Sequence, residues 1–357
     1  MLLFKRNPRN FLGIDIGTSA IKIVELSKER NDVKLENYGE MGVRTVVDRS
    51  FRSGEGNSLL LSDQDVAKSI SLIFEKAKIS TREAFFSIPD FSSFFTFIDL
   101  PPMAPEEVDK AVQFEARRHI PLPLAEVALD WVMVGGGGKN NIKNSPKLKI
   151  LLVAVPYEVI NQYQAIANLS KVHLVSLEAE IFGLVRSLVK EKNSPVGLVD
   201  IGAQSTTFSI VDAGFIKTTH SFDISGNELT KVLSKSLNIR YNEAEESKKK
   251  QGITTPDRSV GSILSPLIDL LAKEIEKSSQ SFYQIEGKKI DKIILAGGGA
   301  LLPGLSDYFS NSLKKSFLIA NPFEGLIYPK VLESNLKVMG PSYAVAVGIA
   351  LRGFEKN

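Results

Sequence analysis

Apolar residues recur along the chain at two spacings, and the switch between them marks out its elements. Leu12, Ile14 and Ile16 alternate with other positions, as do Thr206, Phe208 and Ile210, and this period of two predicts half-buried strands. Val66, Ile70, Ile73 and Phe74 fall at helical spacing, which predicts a helix over 64–78 capped by Ser62 or Asp63. A strand is expected at Ala84–Ile88, and another around Phe94, Thr96, Ile98 and Leu100 in a phenylalanine-rich run. Residues 105–120 read as a helix opened by Pro105-Glu106-Glu107, with Val108, Val112, Ala116 and Ile120 on one face. Gly135–Gly138 and the following Lys139-Asn140-Asn141 predict a loop ahead of the strand LKILLVAVP. Two helices are expected over 226–250 and a longer one over 262–286. A strand at Lys292–Ala296 then runs into GGGALLPGL, and small apolar residues over 341–353 suit a closely packed helix.

The chain also repeats itself. Residues 12–24 (LGIDIGTSAIKIV) and 197–211 (GLVDIGAQSTTFSIV) each carry an apolar strand ending in Asp-Ile-Gly, a turn of small and hydroxyl residues, and a second strand. Asp15 and Asp200 are 185 positions apart, the spacing of a duplicated domain. The expected fold class is therefore α/β, with two related lobes, insertions, and a cleft between the lobes.

Composition narrows the chemistry. The 357 residues contain no cysteine, which excludes disulfides, thiolate metal sites and thiol nucleophiles and suits a reducing compartment. Three histidines, His119, His173 and His220, are widely spaced and do not resemble a ligand set. Lysine and arginine total 44 against 41 acidic residues, too even a balance for nucleic acid or an anionic membrane surface. The start, Met1 to Arg6, lacks the apolar core of a signal peptide, and the run Ile150–Val155 is far too short to span a bilayer.

A turn of Gly, Ser and Thr presents free backbone N–H groups and hydroxyls to an anion, and an aspartate just before it can hold Mg²⁺ or its waters. Two such turns on facing lobes could clamp a polyphosphate; two ordinary tight hairpins are the plainer reading. Glycines 297–299 after an apolar strand would let a nucleoside approach the backbone closely. Leu302 breaks the dinucleotide fingerprint, and Met133 breaks a Walker loop around Lys139.

In order, the two Asp-Ile-Gly hairpins, the strand-GGG-helix element and PSYAVAVGIALRG resemble the phosphate-one, phosphate-two, adenosine and second connecting motifs of the actin-like ATPase superfamily. Within it, FLGIDIGTSAIKIVEL, the stretch 99–135 and the stretch 224–252 resemble the type IV pilus assembly family PilM, related to FtsA. The resemblance implies an actin-like duplicated two-lobe fold with a nucleotide cleft and inserted subdomains. Its divisions would be a first lobe at 1–88, an inserted α/β subdomain at 89–171, and a return to the first lobe with the first connecting helix at 172–193. A second lobe would follow at 194–226, a helical subdomain at 227–290, second-lobe structure at 291–340 and a second connecting helix at 341–357.

The resemblance further implies ATP and Mg²⁺ as ligands, with weak or absent hydrolysis because Ala203-Gln204 follow Gly202. Phosphate would fall to Gly17, Thr18, Ser19, Lys22, Gly202, Ala203, Gln204, Ser205 and Thr206, and Mg²⁺ to Asp15 and Asp200 through water. Asn227, Glu245, Lys248, Gly297, Gly298 and Gly299 would meet adenosine, and Glu178 would orient the attacking water. The implied partner is the cytoplasmic N-terminal segment of a PilN-like bitopic inner-membrane protein. It would lie in a groove walled by Phe91, Phe94, Phe95, Phe97, Ile98, Phe114 and Arg117. Pilus motor ATPases and self-association are further implied contacts, in twitching motility, with the chain cytoplasmic and peripheral at the inner membrane. An FtsA-like division scaffold and a small-molecule kinase of the same superfamily are the alternatives. The C-terminal amphipathic anchor of the first is not seen after Gly353, and the Met1–Phe4 patch is too short to replace it.

Overall fold

The first Asp-Ile-Gly segment folds as a hairpin, and the rest of its lobe is laid against it. In the computed structural model, which describes residues 9–42, 62–135, 147–254 and 260–355, β1 (Arg9–Ile16), β2 (Ala20–Glu29) and β3 (Asp32–Gly42) run antiparallel in succession. The Met1–Phe4 patch and the loop residues 136–141 lie outside the described residues. Helix α1 (Asp63–Ala77), capped by the Ser62 side chain on the Asp65 N–H, leads to β4 (Glu83–Ile88), parallel to β1. An inserted block follows: β5 (Phe94–Leu100), α2 (Pro105–His119), β6 (Val127–Gly135) and β7 (Leu148–Pro156), forming a separate antiparallel sheet in the order β5-β7-β6. Helix α3 (Tyr157–Leu169) and β8 (His173–Ala179) then complete the first sheet, β3-β2-β1-β4-β8. Val159, Tyr163, Ile166 and Ala167 of α3 are buried in the same core as Leu12, Ile14 and Ile16, so α3 packs with the first lobe and the inserted sheet ends at Pro156.

After α4 (Glu180–Leu188) the pattern repeats. Strands β9 (Val196–Ile201), β10 (Thr206–Asp212) and β11 (Phe215–Phe222) are antiparallel neighbours. Helices α5 (Gly226–Leu237), α6 (Tyr241–Gln251) and α7 (Val260–Glu286) precede β12 (Lys292–Ala296), and α8 (Leu305–Leu313) precedes β13 (Ser316–Ile319). The second sheet is ordered β11-β10-β9-β12-β13. Position for position this matches the first, with the central strand antiparallel to its hairpin partner and parallel to the strand on its other side. The internal repeat in the sequence is therefore a repeat of topology.

Alternation decides what each central strand faces. Even positions 12, 14 and 16 of β1 enter the core with α1 and α3, and odd positions 199 and 201 of β9 enter the core with α7. The opposite faces carry Asp15 and Asp200 at their ends and look toward α4 and the last helix, α9 (Glu333–Leu351). Gly13 lets α9 come close: a Cβ there would stand 2.0 Å from the Ala346 carbonyl oxygen.

The inserted sheet is covered on both faces. Helix α2 packs Val108, Val112 and Ala116 against Ile98, Leu100, Ile150 and Leu152. Val134, Leu151, Val153 and Phe95 join a core shared with Phe11 and Phe85 of the first lobe and Val196, Leu198 and Ile216 of the second. No helix among the described residues is long and apolar enough to cross a membrane.

Candidate functional site

The two hairpin turns face one cleft of about 690 Å³. They close alike: the Gly17 N–H donates to the Ala20 carbonyl at 3.1 Å, and the Gly202 N–H to the Ser205 carbonyl at 2.9 Å. The cleft is lined by Asp15, Gly17, Thr18, Ser19 and Lys22 from the first lobe, and by Asp200, Gly202, Ala203, Gln204 and Ser205 from the second. Asn227, Glu245, Lys248 and Gly297–Gly299 line it as well. Residues widely separated in sequence are thus gathered at one place.

Two expected residues lie elsewhere. Thr206 points to the core side of β10 and its hydroxyl donates to the Ile224 carbonyl at 2.5 Å; strand alternation puts Thr207 in the cleft instead. Glu178 is held in a two-oxygen ion pair by Arg186, at 2.7 and 2.8 Å, and Arg186 also donates to the Gly348 carbonyl. The carboxylate that reaches the cleft is Glu180. The reason is local: the chain leaves its strand at Ala179 and turns into α4, so Glu178 stays with Arg186 two turns up that helix.

The groove set is divided as well. Phe91 lines the cleft. Phe94 and Ile98 face α2 inside the inserted block, while Phe95 faces the core shared with the lobes. Phe97, on the same side of β5 as Phe95, is 38% exposed. Phe114 is 61% exposed on the outer face of α2, with Arg118 over its ring and Arg117 exposed beside it. These residues do not form one groove, because β5 sends alternate side chains to opposite faces of a sheet that has α2 on one face and the lobes over most of the other.

The cleft also has an apolar wall absent from the motif reading: Leu301, Leu302, Val338, Met339 and Val345 stand around the glycine turn. Gly297 itself adopts φ +79°, and a Cβ there would lie 2.4 Å from Asp200 Oδ1, so the backbone passes directly over that carboxylate. Glu245 accepts from Thr230, Lys248 and Lys249, and Lys248 also donates to the Gly226 carbonyl at 2.7 Å. Burial pushes the Glu245 carboxyl up, but the bonds from Lys248 and Thr230 outweigh it and hold the group below its ordinary value.

Asp15 and Asp90 are buried, Glu180 and Asp200 are half-buried beside them, and the four carboxylates act on one another with Lys22 as the cation beside Asp15. Lys22 Nζ lies 4.0 Å from Asp15 Oδ2, and the Ser87 hydroxyl donates to Asp15 Oδ1 at 2.8 Å. Burial raises Asp15 against the pull of Lys22 and Ser87. Burial and the Asp15 charge push Asp200 up to about 6, and burial pushes Asp90 up to about 7. Glu180 is raised well above the usual range by burial and then by Asp15, Asp90 and Asp200. Such a cluster repels a bare phosphate but fits a divalent cation bound together with one. Among the described residues no three of these groups form a metal cluster by themselves, so phosphate oxygens and water would complete the cation's shell.

A pH dependence follows. Groups raised in the folded state keep protons that the unfolded chain releases, so stability falls as pH rises between the ordinary carboxyl value of 3.8 and about 7. The ligand-free protein is expected to lose several degrees of thermal midpoint between about pH 5 and about pH 8, less so with Mg²⁺ and nucleotide present. Scanning fluorimetry showing a flat profile would mean these carboxyls are solvated.

A family model described as type IV pilus assembly protein PilM matches residues 13–354. The solved "PilM-PilN type IV pilus biogenesis complex" contains a chain similar to this one at 25% identity and a TM-score of 0.82, covering 97% of this chain and 98% of that one. MreB 5 of Spiroplasma citri bound to AMPPNP shares the fold at 12% identity and a TM-score of 0.54, covering 97% and 96%. The cell division protein FtsA of Bacillus subtilis (strain 168) is 24% identical over 180 residues, 44% of this chain and 38% of its own length. FtsA of Enterococcus faecalis (strain ATCC 700802 / V583) is 21% identical over 335 residues, covering 83% and 75%.

Proposed function

The chain belongs to the type IV pilus assembly protein PilM family, and we propose that it is a nucleotide-binding scaffold of the pilus assembly platform. It takes ATP with Mg²⁺ between its lobes and grips the cytoplasmic N-terminal segment of a PilN-like membrane protein. In this reading it stays on the cytoplasmic side, reaching the inner membrane through that partner. The carrying observation is that Asp15 and Asp200, on repeated hairpins, line one cleft in which the clustered carboxylates Asp15, Asp90, Glu180 and Asp200 outnumber Lys22, the cation that acts on Asp15 and Asp200. Bound Mg²⁺ would neutralise that excess, and the triphosphate would bridge the two turns. The ligand then favours the closed arrangement of the lobes because it contacts both only there.

Each cleft residue has its part. The turn N–H groups and the Thr18, Ser19 and Ser205 hydroxyls would hold phosphate, Asp15 and Asp200 the cation's waters, and Leu301 and Val338 the face of the base. Glu180 is raised, half-buried and bonded to the Asp90 N–H, which suits slow turnover and a ligand that acts by occupancy. The match to a PilM–PilN complex over 97% of the chain supports the partner. Phe97 and Val132, on either side of Leu151, supply exposed apolar groups on the face of the inserted sheet that turns to the lobes.

Calorimetric titration with ATP·Mg²⁺ and with a synthetic N-terminal PilN-like peptide tests both halves. Phe97→Ala should weaken the peptide by roughly tenfold, the loss of about 1.4 kcal/mol expected for an interface aromatic. Phe114→Ala, across the sheet, should change it far less. Equal effects would place the peptide elsewhere, and phosphate release well above about one per second would make the protein a turnover enzyme.

A further inference from the structure

Between β4 and β5 the chain passes through a short 3-10 turn at Asp90–Ser92, the root from which the inserted sheet grows. Pro89 and Phe91, on either side of Asp90, line the cleft. Asp90 turns inward and is joined to the start of α4 by two reciprocal hydrogen bonds. Its backbone N–H donates to Glu180 Oε2 at 3.3 Å, and its Oδ1 accepts from the Ile181 N–H at 3.2 Å. The second bond caps a helix that has no cap of its own, since residue 179 is alanine. The neighbouring Ser92 and Ser93 hydroxyls are buried and bond to nothing among the described residues, so they do not share this tethering role.

The two ends of this tether belong to different parts of the fold, the root of the inserted sheet and the start of α4. Glu180 faces the cleft, and its helix crosses α9 backbone to backbone at Gly183 and Gly348. Beyond Ser93, β5 sends Phe95 into the core shared by both lobes and leaves Phe97 exposed at the seam. The far side of the inserted sheet is fastened to the second lobe: Lys217 Nζ donates to the Val134 carbonyl at 2.7 Å, and Lys149 pairs with Glu286 at 2.9 Å. A change in lobe angle therefore acts on the sheet at two points, through β11 and α7 on one side and through Asp90 on the other.

We propose that Asp90 is the positioning residue that couples the nucleotide cleft to the inserted sheet, fixing Glu180 at one end and the root of β5 at the other. This rests on the reading of a nucleotide in the cleft and a peptide at the seam. Linkage requires the coupling to run both ways: whatever factor nucleotide applies to peptide affinity, peptide applies to nucleotide affinity.

The test is that factor, measured on the full chain by titrating the synthetic peptide with and without saturating ATP·Mg²⁺. The wild type should show a ratio of at least about five. Asp90→Ala should bring the ratio below about two, and Asp90→Asn, whose amide oxygen can still accept from Ile181, should restore most of it. A purely structural role would lower the thermal midpoint and leave the ratio intact. Glu180→Ala removes the other half of the reciprocal pair and should collapse the ratio too, which keeps the test open if Asp90→Ala does not fold. A wild-type ratio in Asp90→Ala or Glu180→Ala, or a ratio of one in the wild type, overturns the coupling. Loss of nucleotide or peptide binding in the wild type itself would instead overturn the functional reading beneath it.

Discussion

Gly348→Ala is expected to leave almost no folded protein. Helices α4 and α9 meet at this residue with no side chain between them. A Cβ on Gly348 would stand 1.8 Å from the Gly183 carbonyl oxygen, 2.4 Å from its carbon and 2.8 Å from its Cα. Every obstructing atom is backbone, so no rotamer change relieves the overlap and the helices must part. Parting them loosens Ile181 and Leu184 of α4 against Ala344, Val345 and Ile349 of α9, in the core that joins both lobes to the inserted sheet. Overpacking on this scale belongs to the class that costs more than about 4 kcal/mol, a large share of the roughly 5–15 kcal/mol by which a domain is stable. The sign makes the test sharp, because Gly→Ala in an open helix gains about 1 kcal/mol. Gly183→Ala is the control: its Cβ would meet the Ile349 side chain and the Val345 carbonyl at 3.1 Å, a contact small shifts can absorb. Soluble yield and thermal midpoint should separate the two variants, and a Gly348→Ala protein melting like the wild type would refute the close crossing.

That crossing also shows where sequence reasoning reaches and where it stops. The small apolar run after Pro341 reads as a tightly packed helix because Ala344, Ala346, Gly348 and Ala350 let a partner come close. Which glycine meets which backbone is a tertiary fact with no local signal. The hairpins were readable for the opposite reason: strand, turn and returning strand are contiguous, so alternation and turn chemistry act within one short window. Glu178 shows the limit of such windows. A switch from strand to helix at Ala179 redirects the next side chain, and spacing alone cannot tell that Glu180 takes the cleft while Glu178 pairs with Arg186. The phenylalanines of β5 mislead for another reason. Apolar residues on both faces of a strand read as a face awaiting a partner, yet α2 covers one face and the lobes cover most of the other. Phe114 was within reach, since it falls out of phase with Val108, Val112 and Ala116 and so points away from the helix's packed side. Asp90 was not; it is a lone acid in a loop whose meaning comes from Ile181, ninety-one positions on.

Asp15→Asn is expected to make the free protein more stable and to abolish its response to nucleotide. The asparagine oxygen can still accept from the Ser87 hydroxyl, so the hydrogen bond survives while one buried charge is removed. Asp15 raises both Glu180 and Asp200, and with it gone those carboxyls ionise more easily in the folded state. Lys22 loses its nearest anion but keeps Asp200, which it already holds down against burial. Relief of repulsion among the remaining acids should therefore raise the thermal midpoint by a few degrees near about pH 8 and flatten its decline with pH. The same change withdraws a charge facing the position a nucleotide-bound cation would take, so the upward shift produced by ATP·Mg²⁺ should vanish. An aspartate kept only for its turn would behave in the reverse way, with a lower midpoint and an intact nucleotide shift. The two readouts have opposite signs under the two explanations, and one fluorimetry plate read with and without ligand decides between them. A gain in stability tied to a loss of binding would mean that the buried acids are a strain the fold carries until the cation arrives.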